Sequence, residues 1–351
     1  MFGKPNRPFF IAEISSNHDG SIINAKKLIL AAKKNGADAV KLQTYTPVTM
    51  TVNSNKKYFQ INKGLWKGYN LWDLYKKAHT PYKWHKELFS YAKKIKIKIF
   101  STPFDESAVD FLENLNCPFY KVASFEMMDV PLIKKIVSTK KPIIISTGMS
   151  SLKEIEYIFN KTKKLGAKKI ALLYCVSNYP SKITDFNLNN IKIMKKKFKC
   201  EIGFSDHSNN INIASAAVWG GATLVEKHIC LKLVKALDSD FSISEEEIKM
   251  YRGALNNSKQ IKKNKQLIKT LFKKKFFFRS KSETPSKKFR RSIFSIKNIR
   301  AGEIFTTKNI KKIRPGYGLS PVLYESVLGK KSLRDIKAFD PIKANMIRKS
   351  H

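Results

Sequence analysis

Eight short, mostly apolar runs, each closing on a residue able to do chemistry, constrain this chain more than any other feature. They are Phe9–Ser15, Ala39–Gln43, Ile97–Thr102, Phe119–Ser124, Ile143–Thr147, Ile170–Ser177, Ile202–His207 and Ala222–His228. Such runs suit parallel strands covered on both faces. Helical or loop segments separate them. The α/β alternation therefore predicts a closed (β/α)8 TIM barrel, whose active site lies at the carboxyl ends of the strands. Polar residues at all of those ends form a candidate active site.

The 351 residues suffice for one barrel and a smaller second domain. No run of roughly 18 apolar residues occurs, so no membrane partner is expected. The opening Met1-Phe2-Gly3-Lys4-Pro5 lacks the apolar stretch of a signal peptide. Cys117, Cys175, Cys200 and Cys230 are widely spaced and form no CxxC pair. Buried free thiols in a reducing cytoplasm explain them. The formal net charge of +41, from 68 basic and 27 acidic residues, ordinarily points to nucleic acid. Here the excess is mostly lysine spread over nearly every helix, as compositional drift leaves it. No known nucleic-acid-binding module accompanies it, so no nucleic-acid partner is expected. A cationic protein still attracts small phosphates and carboxylates.

Amphipathic helices are expected over Ser21–Gly36, Asp105–Leu115, Leu152–Leu165, Asn187–Phe198 and Glu245–Leu255. One connection is too long for a simple turn. Between Gln43 and Pro81 it carries Trp66, Tyr69, Trp72 and Tyr75, and reads as a lid, a substrate wall or a helical insert on the rim. The barrel is assigned residues 1–256 and a basic linker residues 257–288, with an aromatic island at Phe276-Phe277-Phe278 that must dock somewhere. Residues 289–351 turn to short strands and turns, a small β-rich domain that gains from docking on the barrel or on a partner chain.

His207 and His228 end the last two runs, and two imidazoles at adjacent strand ends can hold a divalent metal. A lone histidine there would read as structural. Lys41 and Lys121 lie inside apolar strands, where an unpaired ammonium is costly. Two of them at one mouth suit an anion, and a Schiff-base nucleophile is the alternative. Hydroxyls of Thr102, Ser124, Ser146, Ser177 and Ser205 add donors for phosphate or carboxylate, although any single serine reads as a helix cap. Glu13 within the first strand is either a general acid/base or the partner of a barrel lysine. No P-loop, GxGxxG or GxSxG occurs, so nucleotide and serine-hydrolase chemistry lack support.

Taken together, Ile11-Ala12-Glu13-Ile14, Asn17-His18-Asp19-Gly20, Lys41-Leu42-Gln43-Thr44-Tyr45, Ser101-Thr102-Pro103-Phe104-Asp105 and Tyr120-Lys121-Val122-Ala123-Ser124 resemble the sialic acid synthase family. So do Ser146-Thr147-Gly148-Met149, Ser205-Asp206-His207-Ser208 and Glu226-Lys227-His228. The tail, with Arg290-Arg291-Ser292, Ile313-Arg314-Pro315-Gly316-Tyr317-Gly318 and Leu328-Gly329-Lys330-Lys331, resembles that family's antifreeze-like (SAF, β-clip) domain. The resemblance covers the chain apart from the basic linker. Gly64-Leu65-Trp66, Leu71-Trp72-Asp73-Leu74-Tyr75, Thr80-Pro81-Tyr82-Lys83-Trp84-His85 and Asp238-Ser239-Asp240-Phe241-Ser242 look most like its pseudaminic acid branch.

The resemblance implies condensation of phosphoenolpyruvate with the open-chain aldehyde of an N-acetylated amino sugar, giving a nine-carbon 2-keto acid and phosphate. For the pseudaminic branch the acceptor is 2,4-diacetamido-2,4,6-trideoxy-L-altrose. The neuraminate and legionaminate branches use other acetamido sugars. It further implies that His207 and His228 hold Mn2+ or Mg2+. Lys41, Thr102, Lys121, Ser124, Ser146, Ser177 and Ser205 are implied to bind phosphoenolpyruvate. Gln43, Tyr179, Asp238 (or Asp240 in its place) and Arg314 are implied to contact the sugar. Glu13 is assigned proton transfer or sugar orientation, and Glu226 help in activating water. Arg314 is expected from the small domain of a partner chain, in a domain-swapped homodimer.

Overall fold

A computed structural model describes Phe2 and Arg7–Arg348. Met1 and residues 3–5, read above for a signal peptide, lie outside the described residues. Eight parallel strands follow one another in space as in sequence. They are β1 (Phe9–Glu13), β2 (Ala39–Thr44), β3 (Lys98–Pro103), β4 (Tyr120–Val122), β5 (Ile143–Ser146), β6 (Ile170–Cys175), β7 (Glu201–Asp206) and β8 (Leu224–Cys230). β1 pairs with β8 through Phe9↔Leu224 to Glu13↔His228, which closes the barrel. A short β9 (Ile243–Ser244) extends β8 on the outside. The strands carry few exposed positions because helices cover the barrel, and this is why their sequences read as unbroken apolar runs.

The helices stop where local chemistry stops them. Ser21 caps Ile22–Lys34 by accepting from the Asn24 N–H, and Gly36 takes φ of 90° just past its end. Asp105 caps Glu106–Glu113, and Ser151 with Glu154 forms a capping box for Leu152–Lys164. Asn189–Phe198 and Ile248–Asn256 complete the helices expected from periodicity. Phe2, Phe9, Phe100 and Phe119 pack ring to ring, with Phe100 and Phe119 4.2 Å apart.

The long connection after β2 is a helical insert and a wall of the cavity at once. Pro47–Met50 and Leu71–Ala78 are helical, and Met50, Trp66, Leu74 and Tyr75 line the cavity. Residues 257–288 are not a free linker but a strap bound along the barrel. Leu267 and Leu271 are buried, and the Leu188 N–H donates to the Leu271 carbonyl at 2.7 Å. Asn190 brackets the aromatic island, donating to the Phe278 carbonyl and accepting from its N–H. Phe277 packs on the barrel core, whereas Phe276 stays exposed.

The small domain has its own core of Ile293, Ile299, Phe305, Ile310, Val327, Ile336 and Ile342. Its β10 (Ser292–Ser295) and β11 (Ile310–Ile313) pair antiparallel. The expected docking is present. Phe294 and Ile313 join Met50 and Phe59 of the insert in one apolar cluster. Lys312 pairs with Glu106 and with Asp129 at 2.8 Å.

Candidate active site

Strand periodicity puts residues i and i+2 on one face. Glu226 and His228 therefore share the inner face of β8, and Lys41 and Gln43 that of β2; Ser205 on β7 faces the same way, with His207 just beyond the strand. All six line one cavity at the barrel mouth, of roughly 980 Å3 counted out to its open rim. Asp206 and Lys227, one position out of step, point away and pair behind the strands at 3.7 Å, with the Tyr251 hydroxyl donating to Asp206 at 2.9 Å. Register brings Glu13 level with both Lys41 and His228, and Ser205 level with Glu226. The cavity also takes Thr102, Lys121, Ser124, Ser146, Tyr179, Asp238 and Arg314.

The charged groups form one buried network. Lys41 pairs with Glu13, lies 3.9 Å from Glu226 and donates to Thr102 Oγ1 at 3.1 Å. Lys121 lies 3.6 Å from Glu226 and donates to Ser146 Oγ at 2.6 Å, and Ser205 donates to Glu226 at 3.1 Å. Burial pushes the Glu13 carboxyl up to about 7 against the pull of Lys41. Burial also opposes ionisation of Glu226, but Lys121 and Lys41 outweigh it and hold this carboxyl below its ordinary range. Lys121 is lowered, since burial outweighs its one close carboxylate. Lys41 is raised, since Glu13 and Glu226 together overcome burial. The ion pair expected of Glu13 is therefore present, while burial raises its carboxyl.

Burial holds His207 down at about 4 and His228 well below its usual value, so both imidazoles are neutral. The His207 Nδ1–H donates to the Val176 carbonyl at 2.8 Å, which leaves its Nε2 with a free lone pair. His228 Nδ1 is buried without a partner, and the two ring centres are 5.7 Å apart. Two neutral imidazoles with open lone pairs fit a divalent cation. Among the described residues no third histidine, cysteine or carboxylate joins them. Any further ligands come from water or substrate.

On the opposite side of the mouth, Gln43 donates to Glu13 at 3.1 Å and to Ser15 Oγ at 2.8 Å, and Ser15 in turn donates to Asp238. Asp238 lines the cavity and burial raises its carboxyl, whereas Asp240 stays outside the cavity and uses its carbonyl to accept from Asn209. The Tyr179 ring lies tilted at 45° to those of His207 and Trp66, with centres 4.5 and 5.8 Å away. Arg314 reaches the mouth of its own chain's barrel, where two of its nitrogens grip Glu126 at 2.7–3.0 Å and a third donates to the Tyr75 hydroxyl at 3.1 Å. The expectation of delivery from a partner chain thus differs from the single chain, because the docked strap leads the small domain back over its own barrel. Two expected site residues do not line the cavity: Glu13 is fully buried behind Lys41 and Gln43, and Ser177 turns its N–H to Glu283 at 2.8 Å.

Sequence reasoning missed Glu126 and Phe289, and it gave Ser15, at the end of the first run, and Tyr75, in the long connection, no role of their own. Glu126 was within reach, two positions beyond Ser124 in the 3-10 turn Ser124–Glu126 that ends β4. Phe289 enters the cavity from the strap and meets Trp66 and Phe125 edge to face. Nothing local in the sequence marks it.

Residues 28–266 match the NeuB family, and residues 290–348 match the SAF domain. The chain is 40% identical to the pseudaminic acid synthase of Helicobacter pylori over 344 residues, covering 98% of each protein. It is 36% identical to the N,N'-diacetyllegionaminic acid synthase of Campylobacter jejuni, over 94% of this chain and 97% of that protein. Among solved structures, the spore coat polysaccharide biosynthesis protein SpsE of Bacillus subtilis superposes with a TM-score of 0.82 at 29% identity, covering 100% of this chain and 98% of that one. With both its parts matched and this likeness running over nearly its whole length, the chain belongs to the NeuB family of sialic acid synthases.

Proposed function

We propose that this chain is a pseudaminic acid synthase, condensing phosphoenolpyruvate with 2,4-diacetamido-2,4,6-trideoxy-L-altrose and releasing phosphate. The observation that carries the reading is a single mouth in which two buried lysines and a ring of hydroxyls stand beside two neutral imidazoles. Likeness to pseudaminic acid synthases over nearly the whole chain selects the branch.

Lys41, Lys121, Thr102, Ser124, Ser146 and Ser205 hold the phosphate and carboxylate of phosphoenolpyruvate, and Ser177 supports the same ligand from behind. Gln43, Tyr179, Asp238 and Arg314 orient the open-chain sugar. The enol carbon attacks the aldehyde carbon, and water adds to the cationic carbon left behind. The tetrahedral intermediate then expels phosphate by C–O cleavage. Glu13, poised near 7, delivers the proton that the aldehyde oxygen needs. Glu226, kept ionised by its lysines, orients and helps deprotonate the water. His207 and His228 are the residues to hold Mn2+ or Mg2+, which when bound supplies Lewis acidity toward a carbonyl oxygen.

The homodimer belongs to the same proposal, with the docking contacts of the tail exchanged between two chains. Co-expressing His228→Ala and Arg314→Ala chains, assayed at a sugar concentration where each alone is nearly silent, tests it. Recovered activity means exchange, and none means that the contacts stay within one chain. The cytoplasmic location read from four free thiols is likewise part of the proposal.

The direct test is phosphate release from phosphoenolpyruvate with a panel of acetamido sugars. Preference for the 2,4-diacetamido-altrose supports the pseudaminic reading. Preference for another acetamido sugar moves the chain to the neuraminate or legionaminate branch, and no release with any sugar overturns the synthase. The lowered Lys121 keeps a Schiff-base aldolase as the second reading. Borohydride should not trap pyruvate on a synthase, and trapping at Lys121 would favour the aldolase.

A further inference from the structure

The strap takes no part in the reaction as derived above, yet it completes the hydrogen bonding of the mouth. β5 and β6 stay in register as far as Ser146↔Leu173, with one further bond from the Thr147 N–H to the Leu173 carbonyl at 3.0 Å. Beyond this point the two chains part, and their buried backbone groups need new partners. Arg279 donates to the carbonyls of Thr147, Ser150 (2.9 Å) and Cys175 (2.7 Å). One oxygen of Glu283, a residue only 2% exposed, accepts from the N–H groups of Met149 and Ser177, each at 2.8 Å. Ser286 Oγ donates to the Ser177 carbonyl at 2.7 Å. Both backbone groups of Ser177 are therefore held by the strap.

The strap is itself firmly seated there. The Arg279 guanidinium lies over the rings of Tyr174 and Phe277, 5.2 Å from each centre. Asp185 of the barrel accepts from the hydroxyls of Ser280 at 3.0 Å and Ser282 at 2.8 Å. The turn that the strap secures is an unusual one. Met149 has φ of 52°, in the left-handed region that a non-glycine residue seldom adopts. Its neighbour Gly148 donates to Ser124 Oγ at 3.0 Å, so the turn fixes the place of an expected phosphoenolpyruvate ligand.

We infer that Glu283, assisted by Arg279 and Ser286, is a positioning residue for phosphoenolpyruvate: it shapes the Gly148–Met149 turn and Ser177 without touching the substrate. The inference rests on the phosphoenolpyruvate reading above. With the strap absent, two N–H groups and four carbonyls at the mouth each lose a partner, and the anion half-site loses its shape while the sugar half-site keeps its own.

Calorimetric titration of phosphoenolpyruvate into the full-length protein, with KM values for both substrates, tests this. Glu283→Ala should weaken phosphoenolpyruvate binding and raise its KM roughly tenfold. The sugar KM should stay within about twofold. Glu283→Gln keeps an oxygen able to accept both N–H groups and should recover most of the affinity. Ser286→Ala should shift the affinity in the same direction by less, and decides alone if Glu283→Ala fails to fold. Wild type binding phosphoenolpyruvate with no weakening in the variants overturns the inference and leaves the function standing. Equal rises in both KM values, or a lower Tm with unchanged affinity, also overturn it. A wild type that binds no phosphoenolpyruvate overturns function and inference together.

Discussion

Glu13 and Glu226 face the same ammonium, that of Lys41, yet sit in opposite protonation regimes. Burial brings Glu13 up to about 7, while Glu226 has Lys121 as a second cation and stays ionised. Two carboxyls driven apart in this way take different parts in a reaction. The pH profile of kcat/KM should bend near pH 7, and Glu13→Gln should remove the bend and slow turnover by about 100-fold or more. A bend that survives the substitution assigns the proton elsewhere.

Among the described residues no further histidine, cysteine or carboxylate joins the two imidazoles in binding a cation. His207→Ala and His228→Ala should each abolish the response of turnover to added Mn2+ or Mg2+ while the circular dichroism stays that of the folded barrel. Full wild-type activity in chelator would refute the metal role.

Arg314 and Glu126 are both buried, with Arg291 as a second, more distant partner at 3.3 Å. Removing one member of such a pair strands a charge and costs roughly 3 kcal/mol or more. Arg314→Met should therefore lower Tm, and the double variant Glu126→Gln with Arg314→Met should regain part of the loss. In kinetics, Arg314→Ala should raise the sugar KM far more than the phosphoenolpyruvate KM. Equal rises would separate Arg314 from the sugar.

Gly148 stands where the mouth leaves no room for a side chain. A methyl group there would stand 2.0 Å from Ser177 Oγ and 2.9 Å from Ser124 Oγ. Overpacking of this kind costs about 1–3 kcal/mol. Gly148→Ala should displace both serines and abolish phosphoenolpyruvate binding in calorimetry. Unchanged affinity would show that the turn can relax without cost.

His18 ties the insert to the barrel through Thr80 at 3.2 Å, and His85 ties the helix that follows it (Tyr82–Lys94) to β2 through Thr44 at 2.8 Å. Burial lowers both to about 4 from an ordinary 6.5. The unfolded chain then binds more protons between those values, so stability rises with pH across that window and is lost as pH falls through it. Tm should drop between pH 6.5 and 4.5, and His85→Gln should shrink the drop. An unchanged slope would assign the acid sensitivity to carboxylates.

The barrel was legible because strands buried on both faces leave an apolar run with no alternation, and loops then announce themselves by contrast. Glu13, Lys41, Thr102, Lys121 and Ser205 were legible for the same reason, as charge or hydroxyl where burial forbids it without a partner, whereas Glu226 came only with the family resemblance. What escaped was contributed across the chain. Glu126 gains its meaning from Arg314, 188 positions away, and Phe289 from Trp66. Residues 257–288 were read as a basic linker from their lysine content, with only the island Phe276-Phe277-Phe278 expected to dock. Their docking depends on asparagines of the barrel, Asn187 and Asn190, whose amides bond strap backbone and leave no periodic trace.

The tail's grip on the barrel consumes acidic residues in a chain that has few of them. Glu106, Asp129, Glu154 and Asp340 each meet a lysine or arginine across this seam, and Glu106 and Asp340 keep 40% and 30% of their side chains in contact with solvent. Counterions compete best for such half-wet contacts. The roof of the reaction chamber is thus its most salt-labile wall, and rising ionic strength would unlatch it before loosening the staves beneath.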